Sequence, residues 1–156
     1  MLEEKNFFDQ NYKKVLDLGS ADGFWTLEFA KKGSVVTAID NNSMEGTVER
    51  FRFVMYTYEV EDRVTFILGN VETAEFGENY DLVLFMCLYH HLDSESVEKV
   101  LDKIHTALNK GGTLLVEGAA LEGMEDLLLR HNFKTVGNFK WPDKEETREV
   151  WKAIKV

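Results

Sequence analysis

The chain has 156 residues, 44% of them hydrophobic and 29% charged, which suits one domain able to bury about two-thirds of its unfolded surface without disulfides or metal staples. Eighteen lysines and arginines face 28 aspartates and glutamates, and the formal net charge of −10 disfavours autonomous, non-specific binding to nucleic acid. A single cysteine excludes an internal disulfide, Met1-Leu2-Glu3-Glu4 has the wrong charge for a signal peptide, and no apolar run reaches membrane-spanning length. A soluble cytoplasmic protein with no membrane partner is the expectation. The last thirty residues reverse the sign, with 7 basic against 4 acidic side chains, either an ordinary solvated end or a local surface for an anionic partner.

Apolar runs alternate with helix-like stretches from residue 15 onward. Val15-Leu16-Asp17-Leu18 reads as a buried strand that stops at Gly19-Ser20-Ala21-Asp22-Gly23, and residues 24–32 read as a helix stopped by Gly33. Val35-Val36-Thr37-Ala38-Ile39 is β-branched and nearly continuous, as a strand covered on both faces should be. Asn42 and Glu45 have the spacing of a capping pair before a helix that carries Val48, Phe51, Met55 and Tyr58. Strands follow at Val64-Thr65-Phe66-Ile67-Leu68 and within residues 80–86. Asp93 or Ser94 caps a helix with Val97, Leu101, Ile104 and Leu108 on one face, and Gly111-Gly112 leads into Thr113-Leu114-Leu115-Val116. A helix over 121–130 with Asn132 as its left-handed cap precedes two strands, 133–139 and 150–156, around a turn at Pro142-Asp143. These alternations predict a single α/β domain over 1–156 with a short N-terminal arm at 1–14. The sheet is mostly parallel, with helices on both faces and an antiparallel C-terminal edge strand.

The loop at 19–23 sits between a buried strand and a helix, which places backbone amides and a helix N-terminus beside a ligand. A dinucleotide fingerprint needs glycine at positions 19, 21 and 24, but alanine holds 21 and phenylalanine holds 24. A Walker loop fails as well, because no Gly-Lys-Ser/Thr follows. The run from Val15 to Gly23 resembles motif I of class I S-adenosylmethionine-dependent methyltransferases. Val36-Thr37-Ala38-Ile39-Asp40, Gly69-Asn70-Val71-Glu72, Tyr80-Asp81-Leu82-Val83-Leu84 with Leu88-Tyr89-His90-His91-Leu92, and Leu108-Asn109-Lys110-Gly111-Gly112 continue the resemblance in order. Alanine at 21 and lysine at 110 stand where the family often has glycine and proline, and neither removes a chemical group.

The resemblance implies a Rossmann-like, seven-stranded fold and S-adenosyl-L-methionine as cofactor. It implies cofactor-binding roles for Asp17, Gly19, Ser20, Ala21, Asp22, Gly23, Asp40, Asn41, Met44, Asn70, Val71, Glu72 and Cys87. Asp40, at the end of a strand, is the candidate for both ribose hydroxyls, with helix capping as its alternative. Asp17 lies in an apolar strand, where it can hold the glycine loop or touch the ligand. Asp22 either reaches the ligand's ammonium or caps the helix that begins after Gly23. Asn70 and Val71 are candidates for the adenine edge, and Met44 for packing beside adenine or ribose. His90 and His91 leave the fourth strand on the sulfonium side and are the candidates for taking a proton from an oxygen or nitrogen acceptor. Glu117 is either an acceptor contact or a solvated strand end. The adjacent histidines lack structural-zinc spacing, so no metal is expected.

With only fourteen residues before the first strand, the acceptor pocket has to come from the arm with Phe7, Phe8 and Tyr12, the His90-His91 loop, the segment after Glu117 and Trp141. A small polar or hydroxylated acceptor is the favoured expectation, with a second subunit completing a shallow pocket as one arrangement. Asp22-Gly23-Phe24 and Leu88-Tyr89-His90 also look like methyltransferases acting on wobble-uridine side chains, so a modified transfer RNA nucleoside is the alternative acceptor. A partner subunit that binds the cofactor without transferring methyl is the non-enzymatic alternative.

Overall fold

The computed structural model describes residues 10–86, 88–119, 123–142 and 147–156. Seven strands form one sheet in the order β3-β2-β1-β4-β5-β7-β6. The first, β1 (Lys14–Leu18), is central and parallel to β2 (Val35–Asp40) on one side and β4 (Tyr80–Phe85) on the other. Beyond them, β3 (Val64–Leu68) and β5 (Leu108–Ala119) continue the parallel arrangement. The C-terminal hairpin puts β7 (Thr147–Lys155) antiparallel between β5 and β6 (Phe133–Pro142), so β6 takes the sheet edge.

Nearly unbroken apolar runs give strands that are covered on both faces. One face carries α1 (Phe24–Lys31) and α2 (Thr47–Thr57), where Leu27, Phe29, Ala30, Phe51 and Met55 pack with Val15, Val36, Leu82 and Leu84. The other carries α3 (Ser94–Ala107) and α4 (Met124–Arg130), where Val97, Val100, Leu101, Ile104, Leu127 and Leu128 meet Leu16, Leu18, Val83 and Leu114. Alternate residues of each strand serve opposite layers, as the pleat requires.

Several boundaries differ from the sequence reading. Asn42 is not the N-cap of α2; Gly46 holds that position with φ 80°. Asn42 is itself left-handed at φ 54°, and its Oδ1 accepts from the Val48 amide at 3.3 Å. It therefore caps the first turn from outside the helix. Asp93 does cap α3 directly, accepting from the Ser96 amide at 2.8 Å. Leu108 opens β5 opposite Tyr80 rather than closing α3, with a register irregularity before Leu82 pairs with Thr113. The helix expected over 121–130 is described from Met124, and residues 120–122 lie outside the described residues. Asn132 has the expected left-handed φ of 60°. Asp143 of the expected turn and the arm's Phe7 and Phe8 also lie outside the described residues, whereas Tyr12 packs edge-on against Phe29.

Long-range polar ties fix the layers. Asp81 accepts from the amides of Lys13 and Lys14 and from the Asn109 side chain, joining the starts of β1, β4 and β5. His131, buried after α4, meets Asp102 at 2.7 Å through Nδ1, while neighbouring Arg130 pairs with Glu98 at 2.9 Å. Among the described residues no helix is long and apolar enough to cross a membrane.

Candidate active site

A cleft of about 510 Å³ opens at the carboxyl ends of β1 to β4, within the size range of small-molecule sites. Four successive strand exits form it. Gly19 and Ala21 follow β1; Asp40, Asn41, Ser43 and Met44 lie at and after the end of β2; Gly69, Asn70, Val71 and Glu72 follow β3; and Leu88, His91 and Leu92 follow β4. Ligands in open α/β sheets bind in this kind of crevice beyond the strand ends.

The glycine loop is clasped to β2 by its own backbone. The Gly19 and Ser20 amides donate to the Ile39 carbonyl at 2.8 and 3.2 Å, and the Ala21 amide donates to Asp40 Oδ2 at 3.0 Å. Asp40 Oδ1 accepts from the Asn42 amide at 2.8 Å. A carboxylate has about four acceptor sites, so these two bonds orient Asp40 and leave it capacity toward the cleft. Asp40 is thus a loop organiser and a cleft group together, and it does not cap α2. Ala21 adopts φ 46°, the conformation glycine would favour there, which is the strain implied by alanine in this loop.

Gly23 is held by packing instead. At φ 87°, a Cβ there would come within 2.7 Å of both Met55 and Phe51, so only glycine lets α1 start against α2. A Cβ at Gly19 would press on Leu88 at 3.1 Å, across the cleft floor. Ser20 is buried at 7% exposure, and its hydroxyl has no hydrogen-bond partner in the structure.

Four of the candidate cofactor-binding residues, Asp17, Ser20, Asp22 and Gly23, lie outside the cleft lining. Asp17 is 2% exposed beneath the loop and outside the cleft lining, and its Oδ2 accepts from the Thr26 hydroxyl at 2.6 Å. Burial pushes its pKa up to about 6, opposed by hydrogen bonds from Thr26 and reinforced by the nearby Asp40 charge. Its bonds tie β1 to the first turn of α1. Asp22 points to Arg50, with Nε to Oδ1 at 2.9 Å, and neither caps α1 nor lines the cleft. Gly23 contributes shape at the helix start rather than a wall. Cys87 and the His90 side chain lie outside the described residues.

The third wall is an ordered turn. Asn70 Oδ1 accepts from the Glu72 amide at 2.9 Å, and its carbonyl accepts from the Thr73 and Ala74 amides at 3.1 and 2.7 Å. Because the peptide unit is planar and trans, the Val71 N–H points opposite to that carbonyl, out of the turn. Val71 is buried against the core while also lining the cleft. Glu72 accepts from the Ser96 hydroxyl, so its carboxylate tethers the turn to α3.

The fourth wall is a single 3₁₀ turn, Tyr89–His91, which permits neighbouring histidines to face different directions. His91 is exposed at the cleft edge between Leu88 and Leu92. Glu117 is buried within β5, not a solvated strand end, and stands outside the cleft lining. Among the described residues no three His, Cys, Asp or Glu side chains gather as metal ligands.

Ser43, Gly69, Leu88 and Leu92 join the cleft without having been singled out as site residues. Leu88 and Leu92 are partly buried against the core as well as lining the cleft, and their flanking of the histidine pair was the available signal.

Three comparisons bear on this geometry. The family model described as a methyltransferase domain matches residues 15–112, which takes in all four strand exits of the cleft. A carboxy-S-adenosyl-L-methionine synthase from Enterobacter sp. (strain 638) is 30% identical, over 99% of this chain and 64% of that protein. A transfer RNA U34 carboxymethyltransferase from Campylobacter hominis is 23% identical, over 94% of this chain and 51% of its own length. The chain therefore spans about half to two-thirds of these curated relatives. Among solved structures, the 1,6-didemethyltoxoflavin N1-methyltransferase of Burkholderia thailandensis superposes with a TM-score of 0.81 at 20% identity, covering 97% of this chain and 74% of that one.

Proposed function

Because this chain belongs to the methyltransferase domain family, we propose that it is an S-adenosyl-L-methionine-dependent methyltransferase acting on an oxygen or nitrogen of a small polar acceptor. The observation that carries this reading is the convergence of Asp40, the glycine loop and the Asn70–Val71 turn in one cleft, with His91 on its far wall. The residues fit the cofactor chemically. Asp40 keeps acceptor capacity for ribose hydroxyls, and the Val71 N–H and the Asn70 side-chain amide lie on the adenine side.

When bound, the cofactor supplies an electrophilic methyl group on a sulfonium. This chain's residues bind, align and desolvate. The Gly19–Ala21 loop and Asp40 fix the ribose end, while Leu88 and Leu92 exclude water beside the reacting centre. His91 receives the proton that an acceptor hydroxyl or amine must lose, and its edge position leaves it reachable from solvent.

The decisive experiment is calorimetric titration with S-adenosylmethionine and S-adenosylhomocysteine, using NAD as the control. Micromolar binding of either sulfur ligand, and none of NAD, is expected. Methyl transfer is then read with labelled cofactor and a panel of hydroxylated and amine acceptors. Absence of sulfur-ligand binding by folded protein removes the proposal. Binding without transfer to any acceptor favours a partner subunit, or a pocket completed by a second copy.

A transfer RNA nucleoside is the second acceptor reading, supported by the name of the Campylobacter relative and by the basic excess of the last thirty residues. Labelled methyl appearing in bulk transfer RNA, and not in small acceptors, selects it. The Enterobacter relative's name is the reason to include carboxy-S-adenosylmethionine in the titration.

A further inference from the structure

Lys103 stands seven residues after Ser96, two turns along the same face of α3, and both reach the turn that follows β3. Its Nζ donates to the carbonyls of Val71 at 2.7 Å, Glu72 at 3.1 Å and Ala74 at 2.8 Å. An ammonium has three donor hydrogens, and here three acceptors converge on it from one turn. The same Nζ lies 4.1 Å from the Phe76 ring centroid, so its far side is covered as well. Three carbonyl oxygens gathered this closely repel one another unless a cation stands between them. The bonds to Val71 and Glu72 fix the peptide planes directly behind the cleft wall, and the Glu72–Ser96 contact holds the same turn from its side chain. Among the described residues none of α3 lines the cleft, so Lys103 acts on it through the main chain of the turn.

We propose that Lys103 is a positioning residue that locks the adenine-facing turn and so sets the site's selectivity for the base. This rests on the reading of the cleft as an S-adenosylmethionine site. The reason is geometric: adenine differs from hypoxanthine in the donor and acceptor pattern of its edge, and a main-chain turn discriminates between them only if its N–H and C=O groups keep fixed directions. Loss of the tripod frees the carbonyls of 71, 72 and 74 to turn toward water, and the amides of 72 and 73 rotate with the first two. Those amides hold the Asn70 side chain and carbonyl, so the Val71 N–H, which shares the Asn70 carbonyl's peptide plane, loses its fixed direction through Asn70.

Calorimetry with S-adenosylhomocysteine and S-inosylhomocysteine tests this in the wild type, Lys103→Met and Lys103→Gln. The wild type is expected to prefer the adenine ligand. In Lys103→Met that preference should fall by about tenfold. Lys103→Gln, which keeps one donor arm, should fall between the two and serves as the readout if the methionine variant does not fold. A purely structural role lowers the thermal midpoint without moving the ratio. Wild type that binds with a preference, and a ratio unchanged in the folded variants, overturns this inference alone. Wild type that binds neither ligand overturns the cofactor reading and this inference with it, and equal binding of both ligands by the wild type also overturns the inference.

Discussion

The two halves of the cleft are built differently. On the β1–β3 side the walls are main chain, tied by hydrogen bonds from Gly19, Ser20 and Ala21 to β2 and from Glu72, Thr73 and Ala74 to Asn70. On the β4 side there is one 3₁₀ turn, with His91 exposed between two leucines. The first half is held by its own backbone bonds, which suits the cofactor role proposed for it. The second half offers few fixed polar groups, so under the proposed function acceptor choice rests on side chains and on whatever else covers the turn.

The widest separation of the halves is expected from His91→Ala. If His91 takes the acceptor proton, turnover should fall by about a hundredfold or more while S-adenosylhomocysteine affinity holds. Equal losses in both measurements would merge the halves and place His91 in cofactor binding.

Gly23→Ala probes the packed side. The positive φ and the overlap with Met55 and Phe51 together should cost about 2–4 kcal/mol, read from urea midpoints at unchanged slope. A cost below about 0.5 kcal/mol would mean that α1 and α2 part easily, and the preformed wall would lose its support.

Asp17 makes the same side sensitive to pH. Its folded pKa of about 6 lies above the ordinary aspartate value of 3.8, so the native state binds more protons between those values. Stability from this group is fully present below the unfolded value and is lost as pH rises through the folded one, by roughly 2–3 kcal/mol in all. The thermal midpoint of Asp17→Asn relative to wild type should therefore climb between pH 4 and pH 7. A flat difference would show that Asp17 is charged at no cost.

Smaller effects distinguish Asp40 from Asp22. Asp40→Ala should weaken cofactor binding by about 1.5–3 kcal/mol, because charge-assisted bonds and the loop clasp go together. Asp22→Ala removes only a half-exposed pair with Arg50, so stability should change by less than about 1 kcal/mol and affinity not at all. A matching loss of affinity in both variants would return Asp22 to the ligand.

Much of the preformed half was legible in the sequence, because it depends on local order: strand, glycine loop, helix, and a strand ending in Asp40. Asn42 misled because its side chain caps Val48 six residues on, across a left-handed step, and pattern rules look three residues ahead. Asp22 misled because its partner Arg50 is 28 residues away. Lys103 carried no signal in the sequence, since nothing in its neighbourhood announces three carbonyls about thirty residues upstream. Leu108 passed as a helix residue because it satisfies the α3 periodicity; pairing with Tyr80 decides it for the sheet. The acceptor half stayed faint for the opposite reason. It is a surface turn whose chemistry depends on side-chain direction, which periodicity does not encode.

The placement of β7 has a consequence for the order in which the molecule can assemble. β6 comes first in the chain, yet among the described residues its one neighbour in the sheet is β7, and β7 is also the strand that meets β5. β6 therefore has nothing to join until the following strand pairs with it. The two then pair locally and add to the finished parallel sheet as one ribbon, with β7 as the adhesive edge. Until that ribbon docks, β5 presents an open edge, the place where the folding sheet is exposed to pairing with a wrong strand.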